Sequence, residues 1–135
     1  DTIVIETVKK LHQDCKQAIK PRMYIYYDRY SLKEKKSIEG YDYNKIRITI
    51  DQNLVYRDET VNLFAGKHGD ALLDDHTVIM EIKAPGSKPQ WLQDILDKYN
   101  LMEYKFSKYS CAYHKSQGLP YTPRPSIESA GTAYA

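Results

Sequence analysis

Apolar and charged positions alternate most cleanly over residues 45–51, where Ile46, Ile48 and Ile50 separate Lys45, Arg47, Thr49 and Asp51. Successive side chains of a strand point to opposite faces, so this pattern predicts a strand with one apolar and one charged face. The same period recurs over residues 77–84: Val78, Met80 and Ile82 share one face, and Thr77, Ile79, Glu81 and Lys83 share the other. Residues 23–32, rich in Tyr, predict another strand, with Tyr27 and Arg29 on a common face. Residues 54–57 read as a further short strand. An apolar face must pack on something. A face of Arg, Lys and Glu either meets bulk water or lines a polar cavity that holds an anion.

Helical spacing marks the rest of the chain. Val4, Val8, Leu11, Cys15 and Ile19 recur at helical intervals, predicting a helix over residues 1–19, capped by Asp1 or Thr2 and ended by Pro21. The turn at 84–89 leads into a second helix, with Trp91, Leu92, Ile95, Leu96 and Tyr99 as its apolar stripe and Trp91 as its core anchor. Residues 102–106 predict a short strand, after which Ser107 caps a short helix from Lys108 to about Lys115. Residues 33–43 and 60–75 read as connections. From Ser116 the chain is rich in Pro, Gly, Ser and Ala, so 1–115 is expected to be the folded domain and 116–135 a flexible tail. Cleanly alternating strands flanked by helices place the fold in the α+β class, with an antiparallel, curved sheet.

Composition narrows the partners. In 135 residues the 20 basic and 18 acidic side chains leave a net charge of only +2, so no bulk field draws in nucleic acid and any anion site must come from local arrangement. Thirteen Tyr against two Phe and one Trp favour a sheet with polar tips facing water or a ligand. Cys15 and Cys111 lie far apart, which argues for reduced thiols and a cytoplasmic setting over a disulfide framework or zinc site. No apolar run approaches the length of a membrane span.

The charged residues admit two readings each. Arg47 is either solvated or grips a phosphate through its planar fork. Glu81 and Lys83 are either an ordinary surface pair, or a carboxylate ligand for Mg2+ or Mn2+ beside a phosphate-binding ammonium. Arg29 with Tyr27, and Lys108 at a helix start, raise the same choice. Asp51 is open to metal binding, to capping a turn or to pairing with Arg47. His12, His68, His76 and His114 are scattered without ligand spacing, no Ser-His-Asp or Cys-His set can be assembled, and no glycine-rich phosphate loop is present.

Taken in order, Tyr27-Asp28-Arg29, then residues 45–51, Met80-Glu81-Ile82-Lys83, Pro89-Gln90-Trp91-Leu92 and Phe106-Ser107-Lys108-Tyr109 resemble the vacuolar transporter chaperone (VTC-type) domain, a branch of the triphosphate tunnel metalloenzymes. The resemblance runs from about Lys20 to Tyr113. It implies a tunnel of antiparallel strands lined by Arg, Lys and Glu, and a polyphosphate polymerase-type phosphotransferase that uses ATP and a divalent metal, Mn2+ or Mg2+. A non-catalytic polyphosphate- or triphosphate-binding module and an inorganic triphosphatase are the alternatives. By matched position, Arg29, Arg47, Lys83, Lys108 and Tyr27 would bind phosphate. Arg47, Lys83 and Glu81 would carry catalysis, and Glu81 would hold the metal. The family tunnel also has an N-terminal half, so this chain is expected to supply the C-terminal half. It would be inactive alone unless an N-terminal fragment or a second copy completes the ring.

Overall fold

The computed structural model describes residues 2–15, 18–33, 46–84 and 88–126. Its elements run α1 (Thr2–Asp14), β1 (Tyr24–Lys33), β2 (Arg47–Arg57), a 3-10 turn (Leu63–Ala65), β3 (Asp70–Ala71), β4 (Ile79–Lys83), α2 (Gln90–Lys98), β5 (Tyr104–Lys105), α3 (Lys108–Ser116) and β6 (Arg124–Pro125). The architecture is α+β with antiparallel pairing throughout, as the alternation predicts. Among the described residues the main sheet has four strands and is open. β2 lies at its centre, with β1 along one edge and β3 and β4 along the other.

The strand expected over 45–51 and the short one over 54–57 are a single strand. The alternation breaks between them because Asn53 adopts φ 53° and inserts an extra residue opposite β1, so that the register shifts between Tyr26 and Asp28. Before this bulge the odd residues of β2 (Arg47, Thr49, Asp51) share a face with Arg29, Ser31 and Lys33. After it, the even residues Leu54 and Tyr56 take that face, and they are buried. One face is thus charged at one end and apolar at the other.

The apolar end is the core. Leu54, Tyr56 and Leu72 pack against Cys111 and Ala112 of α3, with Ile25, Tyr27, Ile79, Phe106 and Tyr121 around them. α3 starts where the sequence reading places it, with Ser107 Oγ accepting from the Ser110 N–H at 3.2 Å. Arg57 ends β2 with a buried guanidinium that donates to the carbonyls of Thr60, Asn62, Gly66 and His68 and stacks 3.5 Å from the Tyr24 ring centroid. It thereby organises the connection 58–69.

Three expectations change. The apolar positions of α1 that were expected to pack (Val4, Val8, Leu11) are exposed, and α1 buries no residue. Trp91 is not a core anchor: it is 46 % exposed, and Leu92 is the buried residue of α2. Part of the segment read as a tail folds back. β6 pairs with β5, the Tyr121 hydroxyl oxygen accepts from the Ser107 N–H, and Ser126 N–H donates to the Glu103 carbonyl. The connection 34–45, including Lys45, and residues 127–135 lie outside the described residues. No helix among those described is long and apolar enough to cross a membrane.

Candidate anion-binding face

Beyond the N-terminus of α3 the charged end of the sheet is organised in three rows across β1, β2 and β4. Register sets Lys33, Arg47 and Lys83 side by side, then Ser31, Thr49 and Glu81, then Arg29, Asp51 and Ile79. Directly paired residues of an antiparallel ladder project to the same side. Arg47, more than thirty residues from Glu81 and Lys83, therefore shares a face with them, and Arg29 and Tyr27 join from β1.

Asp51 anchors this face. Its side chain is fully buried and takes Arg29 Nε at 2.6 Å on one oxygen, and Arg29 Nη2 at 2.8 Å and Lys108 Nζ at 2.7 Å on the other. Burial alone would push this carboxyl up, but the bonds from Arg29 and Lys108 outweigh it and hold it below its ordinary value. The bond to Asp51 in turn raises the Arg29 guanidinium above its ordinary range. Asp51 therefore pairs with Arg29 and Lys108, not with Arg47, because Arg29 sits directly across the ladder and Arg47 lies two rows away. The Tyr27 ring lies under both cations, 5.0 Å from Arg29 Cζ and 4.9 Å from Lys108 Nζ, within cation–π range.

The first row is different. Three cations stand abreast, and like charges directly opposed in a sheet are unfavourable unless something neutralises them. Glu81 reaches Lys83 at 3.1 Å and Arg29 at 3.8 Å, and its side chain is 38 % exposed. Among the described residues no carboxylate lies within ion-pairing distance of exposed Arg47. In the middle row, Thr49 is 4 % exposed and its hydroxyl has no hydrogen-bond partner among the described residues. A buried, unmatched hydroxyl costs on the order of 1–3 kcal/mol.

A scan against family models matches the VTC domain over residues 4–116. The chain belongs to the VTC domain family. That family is consistent with the triphosphate tunnel superfamily. No curated protein and no solved structure gives a significant match. The matched span of this VTC domain contains every residue of the three rows, together with Tyr27 and Lys108.

One member of the face, Lys33, is missed by the sequence reading, and the partners of a second, Asp51, are misread. Lys33 was assigned to a connection, although its place two residues beyond Ser31 continues the period of β1. Asp51 was recognised as chemistry-bearing, but its partners are 22 and 57 residues away and follow only from register and from the docking of α3. Among the described residues no group of three or more His, Cys, Asp or Glu side chains is placed to hold a metal.

Proposed function

We propose that this VTC domain is a metal-dependent phosphotransferase of the polyphosphate polymerase type, its charged face forming part of a tunnel wall that binds ATP and a polyphosphate chain. The row Lys33–Arg47–Lys83 carries this reading, because such a row suits a ligand with a negative charge at every few ångströms. The remaining wall comes from an N-terminal fragment or a second copy, which also covers the open strand edges.

Each residue has a distinct task. Arg47 and Lys83 hold phosphate oxygens, with Arg47 offering a two-pronged grip and Lys83 a point charge. Arg29 and Lys108, clamped by Asp51 over Tyr27, are cations whose positions are set before the ligand arrives, and preset charge is the main contribution a protein makes to phosphoryl transfer. Glu81 fits Mg2+ or Mn2+ held by one protein carboxylate and substrate phosphates, the usual arrangement for these ions. When bound, the metal neutralises charge developing on the phosphate oxygens.

A second reading, a polyphosphate-binding module without turnover, is favoured by the engagement of Glu81 with Lys83 and Arg29. Calorimetric titration with tripolyphosphate, with and without Mn2+, separates the two. The transferase reading expects binding that Mn2+ strengthens, loss of binding in Arg47→Ala, and loss of only the Mn2+ increment in Glu81→Gln. Binding indifferent to Mn2+ and to Glu81→Gln selects the module, and no binding at all refutes both.

A further inference from the structure

The connection 58–69 ends in an unusual tip: Leu63 is 84 % and Phe64 99 % exposed, yet the segment carrying them is built firmly. Arg57 binds four of its carbonyls from beneath, and Asn62 caps the 3-10 turn by accepting from the Phe64 N–H at 2.9 Å. Two bulky apolar side chains are thus held in water on a fixed support, the geometry of a knob awaiting a socket. Flanking it are Asp58, Glu59 and Asp70 against Lys67, whose ammonium lies 4.8 Å from the Tyr26 ring centroid. The segment that carries the knob therefore has net negative charge, which opposes docking on an anionic lipid surface.

A socket of matching character lies at the other end of β2. Leu32, Ile46, Ile48 and half-exposed Trp91 line an open apolar pocket of about 110 Å3, with Lys33 at its rim. Apolar cavities of about 150 Å3 hold a benzene ring, so a partly open pocket of this size accepts most of a phenyl group. The knob follows Arg57 and the pocket surrounds Ile46 and Ile48, so ten strand residues, roughly 30 Å, separate them within one chain. They cannot meet in the same molecule.

We propose that Phe64 of one copy inserts into the Trp91 pocket of a second, the acidic flank of the knob meeting Lys33 at the rim. Such a contact joins unlike surfaces, so copies add head to tail into a ring or an open chain. The interface uses the apolar face of the sheet, opposite the phosphate-binding face, and shares with that face only Lys33 at the end of β1; its apolar contact stands whether or not the proposed phosphate chemistry does.

Trp91 is the only tryptophan of the chain and reports directly on the pocket. Analytical ultracentrifugation and Trp emission across a wide concentration range are expected to show mass rising and emission shifting to the blue together. Phe64→Ser is expected to weaken association at least about tenfold while leaving the far-UV spectrum and melting temperature unchanged, since the side chain touches nothing in the monomer. Mixing Phe64→Ser, which keeps its pocket, with Trp91→Ala, which keeps its knob, is expected to restore a one-to-one complex. Concentration-independent mass and emission would overturn the proposal. So would association that survives Phe64→Ser, or vesicle binding by a monomer whose Trp91 emission does not move.

Discussion

Replacing Asp51 by Asn should weaken the fold and sharpen its response to anions at the same time. The carboxylate is fully buried, and three charge-assisted bonds of 2.6–2.8 Å converge on it. Breaking a buried ion pair by removing one partner costs about 3–5 kcal/mol; because the Arg29 side chain is 35 % exposed and water can rehydrate it, the lower end applies, about 3 kcal/mol. For a domain of this length that corresponds to a fall in Tm of roughly 10 °C. The same change releases two cations from their shared counter-ion. Sulfate or tripolyphosphate should then raise the Tm of the variant more than that of the parent, because the anion replaces the lost charge. Differential scanning calorimetry with and without tripolyphosphate reads both effects. A stability loss below about 1 kcal/mol, or equal anion shifts in the two proteins, would refute the anchoring role argued for Asp51. The pH dependence has a definite sign. The folded carboxyl lies below the ordinary value of 3.8, so its contribution is complete above that value and disappears as pH falls through the lower, folded one. The parent should therefore lose stability more steeply than Asp51→Asn below about pH 4.

Arg57→Lys should cost about 2–3 kcal/mol in urea unfolding, because an ammonium cannot serve four carbonyls and stack on Tyr24 as the planar fork does. Limited proteolysis should then cut within 58–69, whereas equal cleavage of parent and variant would show that Arg57 does not hold this loop. Gly69→Ala should destabilise by about 1–3 kcal/mol, since a Cβ there would lie 2.5 Å from the Tyr56 carbonyl oxygen and force β3 off β2; an unchanged midpoint in urea would show that this edge yields freely.

Local pattern carried far in this chain because strand alternation is a local property. Ile46, Ile48 and Ile50 were sufficient to set Arg47, Thr49 and Asp51 on one side, and Ser107 was sufficient to start α3. What stayed hidden depends on register between segments. The pairing of Arg29 with Asp51 and the abreast placement of Lys33, Arg47 and Lys83 require the offset between strands, which Asn53 alters partway along. Burial was misjudged where spacing alone was used: the stripe of α1 has helical period but meets no surface among the described residues, and Trp91 borders a pocket that no one-dimensional pattern reveals. Arg57 carries no signal in the sequence, because a buried arginine paired with carbonyls has no charge partner that a pattern could mark.

The inserted residue in β2 also constrains how this lineage can change length. Deleting Asn53 would restore strict alternation and rotate everything after it by half a turn, turning Leu54 and Tyr56 away from the core face and Val55 and Arg57 towards it. A gap of one residue there would be as damaging as several core substitutions at once. Homologous sequences should accordingly vary in length within 58–69 and keep their spacing between Asp51 and Leu54.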